Sequence, residues 1–168
     1  MPGINIVLVE PEIPQNTGNI ARTCAGIGAK LHLVKPLGFS VDNRYLKRAG
    51  LDYWHDVEID YHDSFEEFNT KYSKDNFYYA TTKAYKKHTD IDYPQDCFII
   101  FGKETAGLPE KVLRSNKENC IRIPTKSEFR SLNLSNAVAV VAYEILRQKE
   151  FAGLECKGLL AKNNIDTI

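Results

Sequence analysis

Short apolar runs alternate with amphipathic stretches along most of this chain. The runs have the length of strands and are bounded by Gly, Pro or polar residues, a pattern typical of buried β-strands. The predicted strands are 4–9, 31–34, 56–60, 77–81, 97–101 and 120–123. Helical periodicity predicts helices near 18–27, 42–49, 64–72, 109–115 and 133–149. Because strands and helices alternate, we predict an α/β fold with a mostly parallel sheet flanked by helices.

The last predicted helix is apolar on more than one side. Leu134, Val141 and Ile145 lie on one face at helical spacing, whereas Val140 and Tyr143 lie off that face. A helix with a second apolar side needs a second surface against which to bury it. This pattern indicates a subunit interface.

Polar loops follow three of the predicted strands. They contain NTGNIARTC (16–24), FGKETAGLP (101–109) and IRIPTKSEFRSLNLSN (121–136). Ligands of open parallel sheets bind outside the carboxyl ends of the strands, and Gly102 and Gly107 permit tight turns or a close approach to a ligand. One such loop is weak evidence, but three in one small domain predict a binding site.

The third loop concentrates hydroxyl and amide side chains beside one cation, Arg130. Free backbone N–H groups at a helix start, with short polar side chains, form a site for a polar or anionic ligand. Asn and Ser are also the commonest helix N-caps, so this loop taken alone is better explained as a capped helix. Its polar side chains include Ser127, Ser131, Asn133, Ser135 and Asn136.

Composition is that of an ordinary globular domain. The 168 residues are 43% hydrophobic and 26% charged, with 22 basic and 22 acidic residues. Zero net charge argues against non-specific binding of nucleic acid, which depends on neutralising phosphates. It still allows a local basic patch, with Tyr85 placed to stack on a base, although such lysines are often only solvated. The candidate RNA-contacting residues are Arg44, Lys47, Arg48, Lys83, Lys86, Lys87 and Arg130.

Cysteine and histidine patterns do not predict a metal site. Cys24, Cys97, Cys120 and Cys156 form no CxxC pair, so buried free thiols are expected. The histidines show no ligand spacing with cysteines or carboxylates, and His62 is predicted to lie in a surface loop together with Asp63. The four histidines are His32, His55, His62 and His88.

Two common nucleotide sites are excluded by the sequence. The chain contains no GxGxxG after a strand and no GxxxxGK[ST], which argues against a Rossmann dinucleotide site and a P-loop NTPase. No apolar run approaches about 18 residues, and no charged segment precedes the first apolar run. We therefore expect a cytoplasmic protein that does not enter a membrane.

The three loop motifs, in this order, resemble those of the SPOUT superfamily of RNA methyltransferases. The chain is most similar to the small single-domain enzymes that methylate the ribose 2′-oxygen of the tRNA wobble nucleotide. The resemblance runs from about 4 to about 147 and implies one domain over 1–168 without an added RNA-binding domain. Thr125 stands where that family usually has methionine.

This resemblance implies both a topology and a cofactor. The segment from about 77 to 150 is expected to form a deep trefoil knot whose loops bind S-adenosylmethionine, mostly through backbone groups. It also implies a homodimer that binds the anticodon stem-loop of tRNA. The cofactor contacts carried over are Ala80, Thr81, Gly102, Glu104, Gly107, Ile121, Ile123, Pro124, Ser131, Leu132 and Asn133.

By the same resemblance, Arg22 is expected to help remove the proton of the attacking 2′-hydroxyl. A guanidinium holds its proton far above neutral pH, so an alternative role is to bind the adjacent phosphate or the developing alkoxide. Asn16, Glu104, Ser131 and Asn133 would orient the ribose and the arginine.

Two further functions remain open on the sequence alone. The chain could methylate another tRNA position or ribosomal RNA, since the motif loops do not determine the target base. It could also be a non-catalytic RNA-binding module. The presence of Arg22, Glu104 and Asn133 favours an enzyme, because a degenerate relative is expected to have lost such residues.

Overall fold

Seven strands form one sheet in the computed structural model, which describes residues 3–40, 54, 56–72 and 76–158. The strands are β1 (Gly3–Val9), β2 (Lys30–Val34), β3 (Ile59–His62), β4 (Phe77–Ala80), β5 (Lys86–Lys87), β6 (Asp96–Phe101) and β7 (Cys120–Arg122). Their order across the sheet is β3-β2-β1-β6-β4-β7-β5. Every strand pairing among the described residues is parallel, which confirms the predicted α/β class.

Helices cover both faces of this sheet. They are α1 (Pro14–Ile27), α2 (Phe65–Lys71), α3 (Glu110–Ser115) and α4 (Leu134–Gln148), with short 3-10 helices at His88–Asp90 and Lys117–Asn119. No helix in the described ranges is both long and apolar enough to cross a membrane. The predicted helix near 42–49, its basic residues Arg44, Lys47 and Arg48, and the tail after 158 lie outside the described residues.

The apolar alternation of β1 divides the core into two layers. Ile4, Ile6 and Leu8 point to the layer that contains α1 and α4, whereas Val7 and Val9 point to the layer that contains α2 and α3. This alternation follows from the two-residue side-chain period of a strand. The sheet is therefore buried on both faces, as expected for a parallel sheet.

Two element boundaries and one short strand differ from the prediction. Helix α1 begins at Pro14 and not near 18, because proline is well suited to the first helical position. Strand β3 begins at Ile59, three residues later than predicted. Strand β5 was not predicted, because two exposed lysines carry no apolar pattern; pairing with β7 alone defines it.

Buried cysteines agree with the prediction of free thiols. Cys24, Cys97 and Cys120 are buried, and Cys156 is exposed. Burial raises the pKa of both Cys24 and Cys97 to about 12, because the thiolate is poorly solvated there. Neither side chain is therefore a reactive thiolate at neutral pH.

Helix α4 has the two faces that its sequence predicts. Val138, Val141 and Ile145 are fully buried against the sheet. Val140 and Tyr143 point outward and are 39% and 50% exposed.

The end of α4 is fixed to the segment before β6 by polar side chains. Gln148 accepts the backbone N–H of Tyr93 at 3.1 Å and donates to the carbonyl of Ile91 at 2.9 Å. Glu144 in turn accepts from Gln148 and from both Nε and Nη2 of Arg147 at 2.8–2.9 Å. The hydrogen bonds of Arg147 and Gln148 lower the pKa of Glu144 to about 2.

Replacing Glu144 with Gln should therefore lower stability in a pH-dependent way. A carboxyl group with a depressed folded-state pKa contributes its full stability above its unfolded pKa and loses it as pH falls toward the folded value. We expect Glu144→Gln to lower the free energy of unfolding at pH 7 by roughly 1–2 kcal/mol, given partial solvent screening. Urea unfolding between pH 7 and pH 3 should show that this difference in the free energy of unfolding between wild type and variant shrinks below about pH 4.5. A gap that stays constant with pH would contradict the assignment, and the exposed Glu118→Gln serves as the control.

Candidate active site

A cleft of about 340 Å³ opens at the carboxyl ends of β4, β6 and β7. This size lies in the range of small-molecule sites. Pro124 is the one predicted cofactor contact that does not line it, whereas the other ten do. Those ten are Ala80, Thr81, Gly102, Glu104, Gly107, Ile121, Ile123, Ser131, Leu132 and Asn133.

Two glycines shape one wall of the cleft, each for a different reason. A Cβ atom on Gly102 would lie 2.1 Å from the carbonyl carbon of Gly107 and 2.2 Å from the nitrogen of Leu108. Gly107 has open space for a Cβ atom, but its φ of +69° is left-handed. Its N–H donates to the Lys103 carbonyl at 2.8 Å, which closes the turn. The close approach predicted at Gly102 is therefore an approach of the loop to itself.

Glu104 joins this loop to the start of α1. Its carboxylate accepts the backbone N–H of Glu12 at 2.8 Å and that of Ile13 at 3.3 Å. It also accepts from Nδ2 of Asn16 at 3.0 Å. The first N–H groups of a helix lack intrahelical partners and favour a nearby negative charge. Glu104 thus holds, from another loop, the two residues that precede α1, where Ile13 makes no side-chain cap hydrogen bond, and places its negative charge near the helix N-terminus.

Asn16 extends this connection to the third loop. Because its Nδ2 donates to Glu104, its Oδ1 faces Asn133, whose Nδ2 donates to it at 2.9 Å. Asn133 caps α4 and accepts from the backbone N–H of Ser135 at 2.9 Å and from the Ser135 hydroxyl at 2.7 Å. Glu104, Asn16 and Asn133 therefore form one hydrogen-bonded chain across all three predicted motifs.

A second connection between the first two loops was missed by sequence reasoning. Glu12 accepts from the backbone N–H of Thr105 at 3.1 Å and from its hydroxyl at 2.8 Å. Glu10 forms an ion pair with Lys103 at 2.8 Å. The only sequence signal was a pair of acidic residues flanking Pro11 directly after β1. Their partners lie 93 residues later in the chain, so the sequence alone does not identify them.

Arg130 belongs to the cleft as well as to the exposed surface. Its Nη2 donates to the Thr105 carbonyl at 3.1 Å, and its side chain lines the cleft beside Ser131. Thr125, at the position where the family usually has methionine, also lines the cleft. Arg130 was predicted as an RNA contact, and its place at the mouth of the cleft is compatible with one.

Arg22 lies apart from the other predicted catalytic residues. It is exposed on α1 and is not among the residues that line the cleft. Asn16, Glu104 and Asn133 are hydrogen-bonded together, and Ser131 lines the same cleft. Within one chain, the predicted catalytic set is therefore divided in two.

The three described lysines that were predicted to contact RNA all form ion pairs. Lys83 pairs with Glu110 at 2.6 Å, Lys86 with Glu118 at 3.2 Å, and Lys87 with Asp90 at 3.0 Å. Exposed pairs of this kind contribute little to stability, so a phosphate can compete with the carboxylates. Beside them Tyr85 is 85% exposed, with the Lys117 ammonium 5.2 Å from its ring centroid.

The sequence-based placement of His62 is wrong. His62 is not in a surface loop: it ends β3 and is 1% exposed. The fold also brings His32 and His62 close to a carboxylate, which sequence spacing did not indicate, because the β2–β3 register sets His32 opposite Asp60. Ligand atoms of His32, Asp60 and His62 all lie within 4.8 Å of one another, on the edge of the sheet away from the cleft.

Comparison with known proteins supports this arrangement. The profile of the SpoU rRNA methylase family matches residues 3–143. A protein from Listeria monocytogenes is 55% identical over 153 residues, which cover 89% of this chain and 90% of the relative. The tRNA (cytidine(34)-2′-O)-methyltransferase of Yersinia pestis is 45% identical over 156 residues, covering 89% of this chain and 96% of the relative.

Solved structures agree with the sequence comparison. One that concerns the 2-OH methylation of C/U34 on tRNA is 40% identical, has a TM-score of 0.83, and covers 90% of this chain and 99% of that chain. The SpoU methyltransferase AviRb of Streptomyces viridochromogenes, in complex with AdoMet, shares the fold with a TM-score of 0.77 at 22% identity, covering 89% of this chain and 58% of that one. The resemblance inferred from the three loops is thereby confirmed, and the chain belongs to the SpoU rRNA methylase family.

Proposed function

We propose that this protein transfers a methyl group from S-adenosylmethionine to the ribose 2′-oxygen of the wobble nucleotide in tRNA anticodon loops. The nucleotide is cytidine or carboxymethylaminomethyluridine. The observation that carries the proposal is the hydrogen-bonded chain of Glu104, Asn16 and Asn133 at the cleft. The relatives that act on position 34 of tRNA support the choice of target.

The cleft suits S-adenosylmethionine in both shape and chemistry. Apolar side chains of Ile121, Ile123 and Leu132 line it and can pack against an adenine ring. Backbone groups at the ends of β4, β6 and β7 can bind the edge of the base and the ribose hydroxyls. Among the described residues that line the cleft, Glu104 is the only Asp or Glu. Its carboxylate is therefore the one available to a cationic or hydroxyl-bearing group of a ligand there.

The reaction requires alignment more than activation. The sulfonium already activates the methyl group, so the protein has to hold the 2′-hydroxyl in line with the carbon–sulfur bond and assist loss of its proton. S-adenosylmethionine would supply the methyl group as its methyl–sulfur bond breaks, and the proton of the 2′-hydroxyl would pass to solvent water. Asn16, Glu104, Ser131 and Asn133 orient the ribose, and Arg22 assists the proton loss or stabilises the developing alkoxide.

In a homodimer, Arg22 of one subunit would lie beside the other predicted catalytic residues in the cleft of its partner. Arg22 is exposed on α1, outside the lining of its own cleft, so we place it at the cleft of a partner subunit. Val140 and Tyr143 give α4 an apolar outer face that a second copy can bury. A closed two-fold pair is the commonest oligomer, and two neutral subunits together present a larger surface to an anticodon stem-loop.

We further propose that residues 77–150 form a deep trefoil knot within one domain spanning 1–168, in a cytoplasmic enzyme. The position of β7 between β4 and β5, both of which precede it in the chain, is consistent with such threading. The bonds of Gln148 to the segment before β6 would hold the last helix in place after threading.

The target position can be tested directly in cells. We expect tRNA from a strain lacking this protein to lose 2′-O-methylation at position 34, with the methylation restored by the wild-type gene. Mass-spectrometric mapping of nucleosides in isolated tRNAs measures this, and an Asn16→Ala gene serves as the non-complementing control. Loss of a methyl group at another tRNA position or in ribosomal RNA, with position 34 intact, would refute the proposed target.

The cofactor assignment is tested by a matched pair of glycine variants in one loop. Gly102→Ala should weaken binding of S-adenosylmethionine by at least about tenfold, because its Cβ would collide with the backbone of Gly107 and Leu108. Gly107→Ala adds the same methyl group into open space, at a conformational cost of about 1–2 kcal/mol. We expect a smaller loss of affinity from Gly107→Ala in isothermal titration calorimetry. Equal affinity of Gly102→Ala and wild type would exclude this cleft as the cofactor site, while thermal unfolding monitors the integrity of both variants.

Mixing two inactive chains tests the shared site. Arg22→Ala should lower turnover by at least about a hundredfold, the scale for losing a general base or a charge-stabilising donor, with cofactor affinity unchanged. Mixed with the cofactor-deficient Gly102→Ala chain, it should recover about a quarter of wild-type activity, since random two-fold pairing gives one intact site in half of the dimers. Sedimentation establishes the dimer in parallel.

Two outcomes would contradict this arrangement. An active monomer, or a mixture that stays inactive although heterodimers form, would place Arg22 at its own cleft or outside the mechanism. Lys86→Ala is the contrasting variant: it should weaken RNA binding and reduce its salt dependence, with turnover at saturating RNA preserved.

A further inference from the structure

Two buried histidines and a carboxylate converge on the sheet edge opposite the cleft. His32 lies in β2 opposite Asp60 of β3, and His62 follows two residues later on the same face of β3. His32 and His62 are 0% and 1% exposed. The proposed methyl transfer uses none of these three side chains.

Hydrogen bonds fix the proton positions on both imidazole rings. Nδ2 of Asn5 donates to the carbonyls of Gly3 and Cys97, so its Oδ1 faces Nε2 of His32 at 3.0 Å and accepts the proton there. Nδ1 of His32 therefore carries a lone pair and accepts from Nε2 of His62 at 3.1 Å. The remaining nitrogen, Nδ1 of His62, is buried and has no hydrogen-bond partner among the described residues.

The two carboxylate oxygens of Asp60 differ in their hydrogen bonds and ion pairs. Its Oδ2 accepts from the Tyr72 hydroxyl at 3.2 Å and lies 3.1 Å and 3.5 Å from the ammonium groups of Lys30 and Lys71. Its Oδ1 receives no hydrogen bond from the described part of the chain. The Asp60 side chain is 30% exposed, which gives an ion in solvent access to the two buried rings.

We propose that His32, Asp60 and His62 bind one divalent transition-metal cation such as Zn²⁺. Two imidazoles with a carboxylate form a ligand set that suits zinc, cobalt or nickel. The separation of 3.1 Å between Nδ1 of His32 and Nε2 of His62 is close to the ~3.3 Å expected between two nitrogens at ~2.05 Å from one tetrahedral zinc.

The tautomer required for binding costs one hydrogen bond, that between the two rings. If the proton on Nε2 of His62 moves to Nδ1 of the same ring, both facing nitrogens present lone pairs and the bond between them is lost. Nδ1 of His62 makes no hydrogen bond within the described residues, so it can carry the proton without losing another one.

Neighbouring charges limit the affinity of this site. Lys30 and Lys71 oppose a cation beside Asp60, although Lys71 is 53% exposed and can turn away into solvent. The bound ion would join the edge strand β3 to β2 beneath the rings of Phe68 and Tyr72. The site lies across the sheet from β4 and β7, so its expected effect is on stability and not on the cleft.

The experiment uses untagged protein that has been treated with a chelator and then titrated with Co²⁺ and Zn²⁺. Visible absorption of bound Co²⁺ and calorimetry should give about one equivalent per chain, and Zn²⁺ should raise the melting temperature. We expect His62→Gln and Asp60→Asn to weaken binding at least about tenfold. His88→Gln and Asp63→Asn change the same residue types outside the site and should bind as wild type does.

A charge variant tests the site without removing a ligand. Lys71→Ala should bind the cation more tightly, because it removes a positive charge 3.5 Å from Asp60. This variant and Asp60→Asn keep the test decisive if His62→Gln does not fold. Absence of saturable binding to wild type, or equal binding by wild type, Asp60→Asn and Lys71→Ala, would overturn the proposal.

Discussion

The carboxylate of Glu104 holds together parts of the chain that would otherwise be independent. It accepts the backbone N–H groups of Glu12 and Ile13, just before α1, and the side-chain amide of Asn16, which lie 92, 91 and 88 residues earlier in the chain. A partly buried carboxylate with three donors is strongly bound, and each of those donors would be costly to leave unpaired. Asn16 in turn accepts a hydrogen bond from Asn133, which caps α4, so Glu104 is connected to the start of that helix as well. The geometry of all three cleft loops therefore depends on this one group.

Sheet order explains why this connection can form at all. Because β6 lies between β1 and β4, the loop after β6 emerges next to the loop after β1. Strand β7 pairs with β4 on the other side, which brings the third loop to the same edge. The parallel direction of every described pair sends all of these loops to one end of the sheet. Glu10 and Glu12 then hold the second loop through Lys103 and Thr105, so polar contacts and not burial set the shape of the cleft.

The pattern of apolar residues predicts the helices and strands that bury a whole apolar face or run. The apolar runs of β1 and β6 and the helical face of α4 were predicted within a residue or two, because their partners cover whole faces. Strand β5 has no such pattern, and pairing with a strand more than 30 residues away defines it. His62 was misjudged for a related reason. It is polar and stands beside Asp63, yet Phe68 of the next helix and Tyr72 at the end of that helix enclose its ring.

The ion pairs of Lys83 and Lys86 reconcile a neutral chain with the RNA substrate that we propose for it. Lys83 and Lys86 are held by Glu110 and Glu118 and are not spread over a basic surface. A phosphate that displaces such a carboxylate exchanges one exposed pair for another, so the gain in affinity per contact is small. Long-range attraction of RNA in general is also weak at zero net charge. If the proposed function is right, such a surface favours RNA that also fits the cleft over RNA that offers phosphates alone.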